Sequence, residues 1–274
     1  MQAMQSLSPM YASLPSPALP ATTRETTSPR RRTVSTTIAL TLAMACVAGS
    51  VFDLSAHSSG RHHDRIEVVS GRAGLKKSKS GQNVRWGVDA LTVTLDPTLL
   101  QLVPGAKDAI VAAFGTWMSS SAGVPDVTVD TTTTAGGVAM DGVNRLLVGK
   151  ITNPGYEHAI ALTTSYYDDS GDLLEADTVF NSEYVFGTFA GQAQNCNDAY
   201  DLQDIATHEA GHFFGLGEDM DDTSTTMYVS SELCEMHKRE LTATDVSVMK
   251  GLYAGGYAPP TSRAGCGGGT AVGR

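Results

Sequence analysis

No apolar stretch of this 274-residue chain is long enough to span a bilayer comfortably, and basic side chains are scarce over most of its length. Residues 38–49 come nearest to a span. Preceded by Arg30-Arg31-Arg32 and holding Ala45 and Ala48 as small-residue cleavage positions, they read instead as a secretory signal, with a membrane anchor or a buried helix as alternatives. The leader ahead of the arginines is long for a signal, and Met10 is an alternative start. Residues 1–80 carry ten Lys/Arg and four Asp/Glu, so nine basic and 25 acidic residues of the total 19 and 29 remain, a net charge near −16. So acidic a chain repels nucleic acid and anionic membrane surfaces and suits an extracellular protein. No internal repeat is evident.

One dense cluster of reactive side chains stands out: His208-Glu209-Ala210-Gly211-His212. Helical residues four apart share a face, one turn from each other, so His208 and His212 can grip a single ion. Glu209 then points beside them as a general base for a water at that ion. Three positions after His212, Gly215 can take the left-handed conformation that ends a helix and reverses the chain after Phe214. This swings Glu218 back as a third ligand, with Asp219 next to it as the fallback. Thr225-Thr226-Met227-Tyr228 reads as a turn that sets a methionine beneath the metal.

His208, Glu209, His212, Gly215 and Met227 together resemble the metzincin clan of zinc endopeptidases, and within it the matrixin-like branch. The family pattern is His-Glu-x-x-His-x-x-Gly-x-x-His followed by a methionine turn. Glu218 stands where the third histidine is usual, and two histidines with a glutamate form a known catalytic zinc set. The resemblance spans about residues 82–256. It implies that Val84-Arg85-Trp86 with residues 91–96 forms the opening strand and that residues 106–117 form the first helix. It further implies that residues 175–181 border the substrate cleft and that residues 241–253 supply the closing helix. A catalytic zinc and a protein or peptide substrate follow from the same resemblance, with Met227 packing under the ligands rather than binding the ion. Residues 51–81 then read as a linker or short propeptide, with Arg72 and Lys76 to Lys79 as processing sites. No cysteine lies there to cap the zinc in the matrixin manner, and His158 alone cannot make the structural zinc site of that branch.

Periodicity supplies the coarse fold. Residues 91–95 alternate as a half-buried strand, while Ala109, Ile110, Ala113, Phe114 and Trp117 recur at helical spacing. Residues 127–130, 146–151 and 159–163 read as further strands. The metal-bearing helix covers residues 201–214 with Asp201 as its cap, and the last helix covers 246–253, capped by Thr242 or Thr244. The expected architecture is α+β: a metzincin-like twisted mixed β-sheet with a backing helix, an active-site helix and a C-terminal helix. Its divisions are a leader and signal (1–50), the linker (51–81), the catalytic domain (82–256) and a Gly-rich tail (257–274).

Cys196 and Cys234 flank the metal helix and the loop after it, and in an exported protein they are candidates for a disulfide that leaves Cys266 odd. The acidic loops at 168–172 and 219–222 are candidate calcium sites. Tyr228 reads as structural, and Phe213 and Phe214 as core. The expected function is that of a secreted, monomeric zinc endopeptidase with no nucleic-acid or stable membrane partner. Two alternatives stand beside it: a thermolysin-like peptidase using a later carboxylate, Glu232 or Glu235, and a non-catalytic binding module on a metzincin scaffold.

Overall fold

A twisted sheet of eight strands carries the fold in the computed structural model, which describes residues 4–12, 74–132, 136–190 and 196–255. Its strands are β1 (Met4–Ala12), β2 (Arg85–Trp86), β3 (Ala90–Leu95), β4 (Asp126–Asp130), β5 (Asn144–Gly149), β6 (Ala159–Tyr167), β7 (Asp172–Asn181) and, beyond a two-residue pair β8 (Phe186–Gly187) and β9 (Tyr200–Asp201), β10 (Ser230–Ser231). The order across the sheet is β10-β1-β6-β7-β5-β3-β4, with β2 on β7. Neighbours from β7 to β4 run parallel, whereas β6 is antiparallel to β7 and β1 is antiparallel to β6. This is the α+β mixed sheet expected from the sequence.

Four helices attach to it. The first, α1 (Pro97–Leu102), starts at a side-chain cap from Asp96 with proline in its first turn, where the missing N–H costs nothing. The second, α2 (Ala106–Met118), buries Ala109, Ile110, Ala113, Phe114 and Trp117, the face that the spacing picks out. Next come α3 (Leu202–Phe213) and α4 (Ala243–Tyr253). Thr242 caps α4 and closes a capping box with Asp245. Phe213 and Phe214 are buried beside Phe114, and their rings meet edge to face. No helix among the described residues is long and apolar enough to cross a membrane.

Four differences from the sequence reading matter for the site. The opening strand is two strands: β2 pairs with β7, and β3 lies between β4 and β5. The strand at 175–181 is β7, enclosed by β6 and β5, and it is β6, through Thr163, that reaches Glu209. Residues 74–81 belong to the folded unit rather than to a linker, because Leu75 bridges Leu216 and Lys76 is buried, closed to a processing protease. Part of the Ser- and Pro-rich leader is also strand, since β1 adds to the edge of β6 and Met10 is fully buried in the main core. The signal at 38–49, Cys46, Arg72 and the tail from 257, with Cys266, lie outside the described residues.

Candidate active site

The metal motif sits on α3, which begins where the Asp201 side chain accepts the Asp204 N–H. Asp201 also holds the Arg239 guanidinium through two contacts of 2.6 and 2.5 Å, tying the helix start to the chain before α4. From that anchor His208 and His212 emerge one turn apart, both fully buried, with their Nε2 atoms 3.0 Å from each other.

Backbone carbonyls fix both rings. His208 Nδ1 lies 2.8 Å from the Thr226 carbonyl oxygen and His212 Nδ1 lies 2.9 Å from that of Leu216. A carbonyl only accepts, so each Nδ1 carries the proton and each Nε2 turns a lone pair inward. Burial lowers the His208 pKa, against the pull of Glu218, and so favours the neutral imidazole that a metal requires.

The chain then turns back. Gly215 has φ +103°, and a Cβ there would collide with the Val84 carbonyl oxygen, so no other residue fits without moving the chain. Leu216 N–H returns to the Gly211 carbonyl at 3.0 Å, and Glu218 Oε1 arrives 3.1 Å from His212 Nε2 with Oε2 3.4 Å from His208 Nε2. Burial alone would raise the Glu218 carboxyl, and positive charge at His212 and His208 would lower it to about 2; with both rings neutral, a bound cation is what could take over that role. Ligand atoms of His208, His212 and Glu218 all lie within 4.8 Å of one another, and no other such cluster occurs among the described residues.

This donor set fits zinc. Two inward lone pairs and a carboxylate converge in a buried space where, without a cation or extra protons, they repel. Two buried oxygens, Glu218 Oε2 and Glu209 Oε1, have no hydrogen-bond partner of their own. Glu209 Oε2 by contrast accepts a 2.5 Å bond from Thr163 Oγ1 on β6, which in turn meets Thr178 Oγ1 on β7 at 2.7 Å. Burial pushes the Glu209 carboxyl up to about 7, with His208, Thr163 and Lys76 pulling the other way.

Asp219 does not join the cluster. Its carboxylate accepts the N–H groups of Asp221 and Asp222 at 2.9 and 3.0 Å and shapes the loop instead. Glu235 accepts from Ser231 Oγ and Glu232 N–H and pairs with His237, so neither it nor Glu232 belongs to the ligand group. Of the two acidic loops, 168–172 likewise folds around its own carboxylate, with Asp168 accepting from Ser170 and Asp172. Met227 is fully buried under α3, where a Cβ on Gly211 would collide with its sulfur. Cys196 and Cys234 are joined as a disulfide.

Two site residues escape sequence reasoning. Lys76 sends its Nζ to Ser165 Oγ (3.1 Å) and to the His212 carbonyl (3.3 Å), and burial lowers its pKa to about 8. Nothing in a Lys-Lys-Ser-Lys run announces that fate. Lys238, also fully buried, donates from Nζ to the Tyr228 and Ser230 carbonyls at 2.7 and 2.6 Å and so stiffens the segment leading into β10.

Two imidazoles one turn apart on a helix, a buried carboxyl beside them and a second carboxylate returned just past the helix end form a group that could hold a metal ion next to a proton acceptor. The family model for the matrixin peptidases matches residues 85–254, and the chain belongs to that family of zinc metallopeptidases. No curated protein matches the chain significantly.

Proposed function

We propose that this protein is a secreted zinc-dependent endopeptidase in which His208, His212 and Glu218 hold the ion and Glu209 is the general base. The observation that carries it is the convergence of those three ligand groups within 4.8 Å of one another, with the unpartnered Glu209 Oε1 on the same helix. Zinc bound there supplies a Lewis acid and makes water more acidic. Glu209 Oε1 then takes a proton from the attacking water and returns it to the leaving amine, while Thr163 holds the other carboxylate oxygen still. A carboxyl whose pKa lies near 7 suits both halves of that task, because it neither holds nor refuses the proton strongly. The substrate is an extended protein or peptide, and the acidic chain leaves nucleic acid and anionic membranes out of account. The signal at 30–50 supports export. Neither calcium nor a binding role without catalysis has an observation in its favour.

Glu209→Gln tests the assignment. The variant is expected to retain stoichiometric zinc by atomic absorption and to lose casein hydrolysis by a factor on the order of 10²–10⁴. Hydrolysis at the wild-type rate would refute the assignment.

A further inference from the structure

The third ligand depends on how the chain reverses between His212 and Glu218, and residues outside the family match brace that reversal. Residues 74–76 run beside residues 215–217. Gly217 N–H donates to the Gly74 carbonyl at 2.6 Å, Lys76 N–H donates to the Gly215 carbonyl at 3.1 Å, and Leu75 bridges Leu216. The segment then doubles back on itself, with Val84 N–H donating to the Lys76 carbonyl at 2.9 Å and Lys77 bridging Asn83. Two glycines let it lie this close to the reversal. A Cβ on Gly215 would collide with the Val84 carbonyl oxygen, and one on Gly217 would press on that of Gly74 at 3.2 Å.

Lys76 ties this hairpin to the site. Its Nζ donates to the His212 carbonyl in the last turn of α3 and to Ser165 Oγ on β6, so one side chain links helix end and sheet. Ser165 lies two residues from Thr163, on the same face of β6, and Thr163 holds Glu209. The last carbonyls of a helix lack partners within it, and a cation there is favourable, so a plain stabilising role is the first reading. A lysine at the surface would fill that role with its ammonium still hydrated. Lys76 is instead only 5% exposed, and it lines, with Glu218, a cavity of about 340 Å³. The charges of Glu218 and Glu209 favour its ionised form against burial.

We propose that Lys76 is a positioning residue for the third metal ligand: with the rest of residues 74–84 it fixes the path from His212 to Glu218 before any ion arrives. The inference rests on the reading of His208, His212 and Glu218 as zinc ligands. Without the brace, Glu218 would sit on a turn free to sample other positions, and binding would first have to order it. Removing a group that holds a metal ligand in place typically weakens the metal by about 10–100-fold.

The test compares the full-length wild type with Lys76→Met, which keeps the bulk of the side chain and removes its donor. Zinc affinity is measured by competition with a chromophoric chelator, and folding by circular dichroism and thermal melts of the metal-free protein. The variant is expected to remain folded and to bind zinc about 10–100-fold more weakly. Ser165→Ala, which removes one of the two Nζ partners, should weaken zinc in the same direction by a smaller factor. If Lys76→Met does not fold, Ser165→Ala alone decides. A lowered melting temperature with wild-type zinc affinity assigns Lys76 to stability only and overturns the proposal. A wild-type protein that binds no zinc removes instead the metal reading beneath it.

Discussion

Gly211 lies inside the metal motif, at a position the motif leaves open, yet it has little room to vary. A Cβ there would collide with Met227 Sδ and press on the Trp117 ring at 3.0 Å, so helix and methionine turn touch through the missing side chain. Gly211→Ala is expected to destabilise the protein by about 1–3 kcal/mol, read as a lowered denaturant midpoint, because an extra methyl has nowhere to go. Glu218 and Asp219 invite a paired comparison. Glu218→Ala should abolish stoichiometric zinc, since it removes the carboxylate 3.1 Å from His212 Nε2. Asp219→Ala should keep the ion and loosen the loop at 219–225, because its oxygens serve backbone N–H groups. Zinc retained by the first variant and lost by the second would reverse the assignment. Adjacent carboxylates meet different partners here, an imidazole nitrogen for Glu218 and backbone N–H groups for Asp219, and only the direction of the chain after Gly215 separates them.

The disulfide joins the residues just before β9 and α3 to the loop that follows β10, and Cys234 N–H also donates to the Ala199 carbonyl. Cys234→Ser is expected to cost about 2–4 kcal/mol of stability in denaturant titration, by freeing the unfolded chain and loosening this junction. Three of the four helices were legible in the sequence to within a few residues, and the short α1 was not. Asp201 and Thr242 announced α3 and α4 as caps, and the apolar stripe of α2 announced its buried face. Strand order was not legible. Period-two alternation says which residues pair off to opposite faces, never which strand neighbours which, so the place of β7 between β6 and β5 could not be read from it. The leader strand was hidden for a different reason. Its Ser and Pro content signals weak intrinsic structure, and only the waiting edges of β6 and β10 make it a strand. Lys76 was hidden because a buried lysine carries no local sequence mark; its partners, Ser165 and His212, are distant in the chain.

Buried carboxylates away from the metal shape the pH response of the protein. Asp177, fully buried on β7, accepts N–H groups from Ala139 and Arg145, yet desolvation still lifts its pKa to about 7. In the unfolded chain an aspartate ionises near about 4. The folded pKa is thus the higher one, and the stability this group contributes is complete below about 4 and is lost as pH rises through about 7. Thermal melts of wild type and Asp177→Asn should therefore diverge in the variant's favour as pH rises from 5 to 8, with a slope of up to about 1.4 kcal/mol per pH unit. A constant difference across that range would show that Asp177 is already ionised in the folded protein.

Both tryptophans of the chain report on one helix. Trp117 Nε1 donates to the Thr207 carbonyl at 2.6 Å and Trp86 Nε1 to that of Phe213 at 2.8 Å, one bond just before His208 and the other just after His212. Excitation at the indole band therefore interrogates the metal-bearing segment from either end. Intrinsic emission becomes a label-free optical gauge of whether that segment is held taut or let go when a chelator strips the ion.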